Sequence, residues 1–345
     1  MSLHAEICEQ PQRLAALLAG QRGQVERIAV AIRDRDVRFA FLAARGTSDN
    51  AGRYAMYLWG ARNGLPLALA APSLFTFYQQ PPRLRDALVV GVSQSGQSPD
   101  IVQVLAEGRR QGCLTLAITN APASPLAQTA DFVLDIQTGP ERAVAATKTY
   151  TAELMSIAML SAALSDDAAA WQELSAVPGW VETVLRQDET LRDLARRYRF
   201  LQQCVVIGRG YNYATAFEWS LKLKELSYVQ AEPYSAADFQ HGPMALLEPG
   251  FPVLAVAPSG RMAASLLEFI TYLRRQQQAD LMVLSDQAAS LALAQAPVSL
   301  PAGIPEWLSP LVSIAPAQLF CYHLTRGKGF DTEQPRSIQK VTETR

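Results

Sequence analysis

Three short segments carry side chains whose types and spacing could do chemistry. The first is Ser93-Gln94-Ser95-Gly96-Gln97-Ser98, followed by Pro99 and Asp100. Proline is tolerated at a first helical position and aspartate suits the first turn, so the run predicts a strand-to-helix turn. The unpaired N–H groups of such a helix start, with three hydroxyls and an amide, form a neutral cradle for an anion. Hydroxyls give directional hydrogen bonds without a fixed charge, which suits a phosphate that must bind and leave. Thr47-Ser48-Asp49 adds hydroxyls after an earlier apolar run. The same residue types also serve as ordinary helix caps.

The second segment is Glu218-Trp219-Ser220-Leu221-Lys222-Leu223-Lys224-Glu225. Glu218, Lys222 and Glu225 stand at i, i+4 and i+7, on one face of a helix. Carboxylates held there could move protons; the plainer alternative is a solvent-facing ladder of salt bridges. The third segment, Tyr234 to Pro243, is small and polar and ends in His241 beside Gly242-Pro243. A histidine so fixed serves either acid–base chemistry or structure. Nucleotide cofactors are not indicated. Gly208-Arg209-Gly210-Tyr211-Asn212-Tyr213 lacks the third glycine of the dinucleotide fingerprint, and no Walker A lysine motif is present. The only histidines are His4, His241 and His323, none spaced near another ligand, so no metal site is expected.

These groups need elements to hold them. Compact apolar runs at 39–43, 88–92, 114–119 and 132–136 alternate with helical stretches such as 101–106. The later half does the same, with runs at 204–207 and 253–256. Continuous apolar strands alternating with helices predict parallel sheets covered on both faces, an α/β fold. Gly46 and Gly210, like Gly96 and Gly260, lie 164 residues apart (210 − 46 and 260 − 96), which predicts a duplicated unit. In the second copy Ala257, Pro258 and Met262 replace Ser93, Gln94 and Ser98, so only the front copy is equipped for an anion. The expected organisation is a helical lead-in over 1–38, a phosphate-binding subdomain over 39–165 and a helical connector over 166–200, broken at Pro178-Gly179. A second subdomain over 201–326 follows, with the charged helix and the histidine loop. A polar tail over 327–345 would ordinarily fray.

A chain of 345 residues fits about two domains. Lys plus Arg total 31 against 32 Asp plus Glu, a net charge of −1 that leaves no basic footprint for a nucleic-acid partner. The hydrophobic share of 49% against 18% charged residues supplies a large core and argues against disorder. No apolar run approaches the roughly 18–20 residues of a membrane span, and the first residues show no signal-peptide pattern. Cys8, Cys113, Cys204 and Cys321 are scattered, as expected of free thiols in a reducing, cytoplasmic setting.

Taken in order, six segments resemble the sugar isomerase (SIS) family: Gly46-Thr47-Ser48, Ser93 to Gly96, Val144-Ala145-Ala146-Thr147-Lys148, Glu218 to Glu225, His241-Gly242-Pro243 and Gln334-Pro335-Arg336. The likeness runs from about residue 39 to the C-terminus. It is to the isomerase half of glucosamine-6-phosphate synthases and to stand-alone glucosamine-6-phosphate deaminases of the SIS type. It implies two tandem SIS subdomains, each a doubly wound, flavodoxin-like parallel sheet flanked by helices. It also implies that Gly46, Thr47, Ser48, Ser93, Gln94, Ser95 and Ser98 hold a sugar phosphate, with Val144 and Ala146 beside the sugar. Glu225 would move a proton between C1 and C2 of the open-chain sugar, with Lys222 orienting that helix face. His241, reaching the site from the second subunit of a homodimer, would assist ring opening. Lys340, in Ile338-Gln339-Lys340-Val341-Thr342, would engage the sugar carbonyl, which makes the tail a lid rather than a frayed end. No metal and no cofactor is implied.

The synthases carry an N-terminal glutaminase domain with a cysteine nucleophile, whereas here Ser2 follows Met1 and no such domain fits. The expected reaction is therefore conversion of glucosamine 6-phosphate to fructose 6-phosphate and ammonia. Two alternatives stand beside it. One keeps the fold and changes the substrate, to a 6-phosphorylated fructose–amino-acid adduct or another ketose–aldose pair. The other is a phosphosugar-sensing regulatory protein without turnover. Arg45 in place of a synthase cysteine, Ala146 in place of a serine, and Gln97-Ser98 in place of Glu-Thr border the expected pocket.

Overall fold

The structure is a computed structural model and describes residues 2–340. Two helices lead in, α1 (Leu3–Cys8) and α2 (Gln10–Asp34). A first α/β run follows: β1 (Phe39–Ala43), α3 (Gly46–Asn63), β2 (Leu67–Leu69), α4 (Ser73–Thr76), β3 (Ala87–Val92), α5 (Pro99–Arg110), β4 (Leu114–Thr119), α6 (Pro125–Thr129), β5 (Phe132–Asp135) and α7 (Lys148–Ser165). Next come α8 (Ala168–Leu185) and α9 (Asp188–Arg197). The second run is β6 (Gln203–Gly208), α10 (Tyr213–Ser227), β7 (Gln230–Ser235), α11 (Ala236–Phe239), β8 (Pro252–Val256), α12 (Ala263–Arg275), β9 (Asp280–Ser285), α13 (Ala288–Leu291), β10 (Ala296–Ser299) and α14 (Ser309–Gly327).

Each run folds its strands into one parallel five-stranded sheet. The orders are β2-β1-β3-β4-β5 and β7-β6-β8-β9-β10, the same doubly wound arrangement twice. β1 and β6 begin 164 residues apart, and so do β5 and β10 (203 − 39 and 296 − 132). The spacing first visible in two pairs of glycines thus recurs at these strands, and the other three strand pairs lie within two residues of it. The duplicated α/β fold expected from the sequence is the fold observed.

The chain forms two compact units. The first-sheet unit takes Gln12–Glu141, Lys148–Ala176 and residues 339–340; the second-sheet unit takes residues 2–11, Arg142–Thr147 and Val177–Ile338. In the first, β3 and β4 bury every residue, as strands covered on both faces must. Ile101, Val104 and Leu105 make one stripe of α5 and meet Phe41, Val89 and Ala117 of the sheet. Helix α7 is buried from Lys148 to Ala163, so its polar groups need protein partners. Ser48 Oγ donates to Glu153 at 2.8 Å, and Thr149 Oγ1 donates to Glu141 at 2.8 Å. In the second unit Val205, Ile207, Val253, Ala255, Leu281 and Val283 face Phe239, Phe269 and Ile270.

Two local expectations are corrected. Pro178-Gly179 does not break the connector, because α8 runs through it. Proline gives up one backbone donor there, while its fixed φ remains compatible with a helix. The tail is not frayed through Lys340. Glu333 accepts from the Leu3 N–H, the Arg336 N–H donates to the Tyr228 hydroxyl at 2.8 Å, and the Arg336 guanidinium stacks 4.6 Å above the Tyr228 ring. Residues 341–345, the end of the expected lid, lie outside the described residues. All four cysteines are free thiols, and burial pushes that of Cys204 up to about 12. Among the described residues no helix is long and apolar enough to cross a membrane.

Candidate active site

In the first-sheet unit the turn after β3 runs directly into α5, the strand-to-helix connection expected from the sequence. Ser93 Oγ accepts the Gly96 N–H at 3.1 Å and Ser95 Oγ accepts the Gln97 N–H at 3.3 Å. Both hydroxyls act as acceptors in these bonds, which leaves their protons to be donated outward. Ser98 is the N-cap of α5, yet its side chain makes no capping hydrogen bond. Gln94 is anchored through its carbonyl, which accepts from the Asn120 N–H at 3.1 Å. Gly96 takes φ +62°, and a Cβ there would lie 2.0 Å from Ser124 Oγ, so only glycine closes this turn.

The second copy supplies a control inside the same chain. Its matching turn is already filled by protein carboxylates. The Ser259 N–H and Oγ both donate to Asp286 at 2.6 Å, and the Arg261 N–H donates to Glu306 at 2.8 Å. Asp286 directly follows β9; the residue directly following β4 is Asn120, a neutral amide. Its amide is spent on the chain, donating to the Gly139 carbonyl and accepting from Thr138. One turn carries its own anions, while the other keeps its hydroxyls unsatisfied by any carboxylate of the described residues.

Two charged pairs stand at the starts of α3 and α5 in this unit. Arg45 Nε and Nη2 both lie 2.8 Å from Asp100 Oδ2; the carboxylate is buried and the guanidinium half exposed. Asp100 in the first turn of α5 would oppose an incoming anion, and Arg45 cancels that charge. Asp49 pairs with Arg53 at 3.0 Å, and burial still pushes its carboxyl above the usual range, against the pull of Arg53 and Arg45. Gly46, at φ +53°, opens α3 with Thr47 and Ser48. Ser48 turns inward and gives its proton to Glu153, whereas Thr47 stays part-exposed.

Lys340 belongs to this unit as well. Its Nζ lies 2.8 Å from Glu141 Oε2, a fully buried carboxylate that also accepts from the Thr149 N–H and hydroxyl at the start of α7. A helix N-terminus and an ammonium together hold that carboxylate. Glu141 escaped the sequence reading because it sits outside any periodic run. Its one signal was its place just ahead of the segment that contains Val144 and Ala146.

In the second-sheet unit α10 overturns the idea of a surface ladder. Glu218 is 0% and Lys222 1% exposed, while the Glu225 side chain keeps 25%. Lys222 Nζ lies 3.4 Å from Glu218 and 2.5 Å from Glu225. The helical spacing thus brings all three together, with Glu225 the member that reaches solvent. Val144 and Ala146 are part-exposed in a short segment that α1 and α14 position. Buried Glu6 accepts the Arg142 and Ala143 N–H groups at 2.6 and 3.1 Å, and Gln318 donates to the Thr147 carbonyl at 3.3 Å. Glu6 was missed as well, since nothing in a short lead-in helix marks one carboxylate. His241 is exposed; its backbone N–H donates to the Asp238 backbone carbonyl at 3.0 Å, and Gly242 at φ +132° turns the chain after it.

Comparison with known proteins agrees with these two units. The SIS domain model matches residues 35–163 and 202–325. The isomerizing glutamine--fructose-6-phosphate aminotransferase of Thermococcus kodakarensis is 34% identical over 345 residues, covering 97% of this chain and 56% of the relative. The chain therefore spans a little over half the length of that curated relative. A Silicibacter pomeroyi DSS-3 structure assigned as a phosphosugar isomerase is 32% identical, with a TM-score of 0.86, covering 96% of this chain and 100% of that one. The C-terminal domain of the Francisella tularensis glucosamine-fructose-6-phosphate aminotransferase is 26% identical, with a TM-score of 0.88 over 96% of this chain and 98% of that one. Two matched segments, two sheets of one strand order and relatives matched along nearly the whole chain lead to one statement: this chain belongs to the SIS domain family.

Proposed function

We propose that the chain is a phosphosugar aldose–ketose isomerase and deaminase that converts glucosamine 6-phosphate and water to fructose 6-phosphate and ammonia. One observation carries the reading: on α10 a buried lysine holds two carboxylates, and only Glu225 is open to a substrate. The names of the relatives, all phosphosugar enzymes, support the substrate class. So does the contrast between the open turn at Ser93–Ser98 and its filled duplicate at Ser259.

The residues then divide the work. Hydroxyls of Ser93, Ser95, Ser98 and Thr47 hold the phosphate, which leaves the sugar carbons to the acid–base groups. His241 moves the proton that opens the ring. In the open chain, the proton on C2 is acidified by the C1 aldehyde. Glu225 takes that proton and returns it to C1, leaving an imine at C2. Water adds at C2 and ammonia leaves. Toward fructose 6-phosphate the only co-reactant is water, which is why this direction is proposed. Lys222 orients the Glu225 carboxylate, and the Lys340 amine engages the carbonyl oxygen.

A panel of amino-sugar phosphates, assayed for ammonia, ketose and free amino acid, tests the substrate. Glucosamine 6-phosphate is expected to yield ammonia and fructose 6-phosphate. A second reading draws on Arg45, whose half-exposed guanidinium borders the turn and could meet a carboxylate. It makes the chain a deglycase of fructose–amino-acid 6-phosphates, which would release free amino acid instead. Ligand binding with no turnover of any member would leave a sensor.

The proposed assembly is a homodimer in which His241 serves the partner's site. Glu225→Gln and His241→Asn chains, each inactive alone, are expected to regain about a quarter of wild-type activity when co-expressed. Half the dimers would then be mixed, each with one intact site. If His241 acted within its own chain, every site would carry one lesion and mixing would restore nothing.

A further inference from the structure

Three helices of the second-sheet unit bring together side chains that the proposed reaction does not use. His4 lies on α1, Asp188 opens α9, and His323 lies on α14. His4 Nε2 is 3.1 Å and His323 Nε2 2.8 Å from the same oxygen, Asp188 Oδ1, and the three ligand atoms lie within 4.8 Å of one another. Spacing along the chain did not reveal this cluster, because the two histidines are 319 residues apart (323 − 4). Folding pairs them: α14 lies against both α1 and α9. Cys8, four residues after His4 and so on the same helical face, places Sγ 3.9 Å from His4 Nε2.

We propose that His4, Asp188 and His323 form a site for a zinc-class divalent transition ion, which fastens α1 to the rest of its unit. Two imidazole nitrogens and one carboxylate oxygen are the donor set of such ions, whereas calcium and magnesium favour all-oxygen sites. Ligand atoms about 2.0–2.1 Å from a tetrahedral zinc ion stand about 3.3 Å apart. The observed separations of 2.8 and 3.1 Å are therefore within about half an ångström of the bound arrangement. The two imidazole nitrogens, within 4.8 Å of each other, must close by up to about 1.5 Å, which rotation of the two side chains supplies. The fourth position is open to water or to the Cys8 thiolate. Binding requires each Nε2 as a lone pair, so the ion displaces the protons now shared with Asp188, either to solvent or to Nδ1. The site is partly shielded: the His323 side chain is 10% exposed, and the Tyr322 ring lies 5.0 Å from that of His4. The consequence reaches further along α1, because Glu6 of that helix holds the backbone of Arg142 and Ala143.

The test uses the untagged full chain, freed of metal by a chelator and titrated with zinc chloride against a chromophoric competitor. One ion per chain is expected, with a rise in Tm of at least about 2 °C. His4→Ala and His323→Asn should each weaken binding by more than about tenfold and abolish that rise. His4 sits on a part-exposed terminal helix, so His4→Ala should keep the circular dichroism of the parent. That spectrum separates a lost ligand from a lost fold. Absence of zinc binding in the parent chain, or equal binding in parent and a folded His4→Ala chain, would overturn the site. Neither result bears on Glu225, so the site and the proposed reaction stand or fall separately.

Discussion

Glu225→Gln is expected to lower kcat for ammonia release by roughly 10²–10⁴-fold, with KM for the sugar phosphate little changed. The amide keeps the size of the side chain but cannot accept the proton from C2. Lys222 retains Glu218 at 3.4 Å, so the buried charge stays partnered and the fold should persist. Exchange is the sharper readout. In deuterated water the parent enzyme should introduce deuterium at C1 of the ketose or C2 of the recovered amino sugar, and the variant should introduce none. Full turnover in Glu225→Gln would remove the proton-transfer role and leave the helix with a purely structural one.

The architecture could be read from the chain because it rests on patterns that repeat. Runs such as Leu-Val-Val-Gly-Val at 88–92 and Leu-Thr-Leu-Ala-Ile-Thr at 114–119 match strands covered on both faces, and the 164-residue spacing fixed the duplication. The Ser93–Ser98 turn was equally legible, since proline, glycine and hydroxyls each have a local backbone consequence there. What stayed hidden depends on distance through space. The periodicity of α10 put Glu218, Lys222 and Glu225 on one face, but not whether water or protein covers that face. Glu141, Glu6 and Asp100 act through partners far away in sequence, such as Lys340, Arg142 and Arg45. The filling of the second turn by Asp286 and Glu306 was hidden for the same reason. The substitutions at Ala257, Pro258 and Met262 mark this copy as short of hydroxyl and amide groups, but do not reveal that its backbone donors meet carboxylates within the chain.

Lys222→Met is expected to be strongly destabilising. Methionine matches the length and shape of the aliphatic stem, so no large cavity is opened. What disappears is the cation between Glu218, which has no exposure, and Glu225. Breaking a buried ion pair from one side costs about 3–5 kcal/mol, because the remaining charge loses its counter-ion where water does not reach it. The denaturant midpoint should fall accordingly. Adding Glu218→Gln to Lys222→Met removes that stranded charge and should recover about 1–3 kcal/mol, a coupling that two independent sites would not show. Catalysis should not follow the recovery. The double variant regains stability but still lacks the ammonium 2.5 Å from Glu225, so kcat stays low while the fold is restored. A Lys222→Met chain as stable as the parent would mean that the cluster contributes nothing to the fold. A double variant with parental kcat would mean that Lys222 does not orient the catalytic carboxylate.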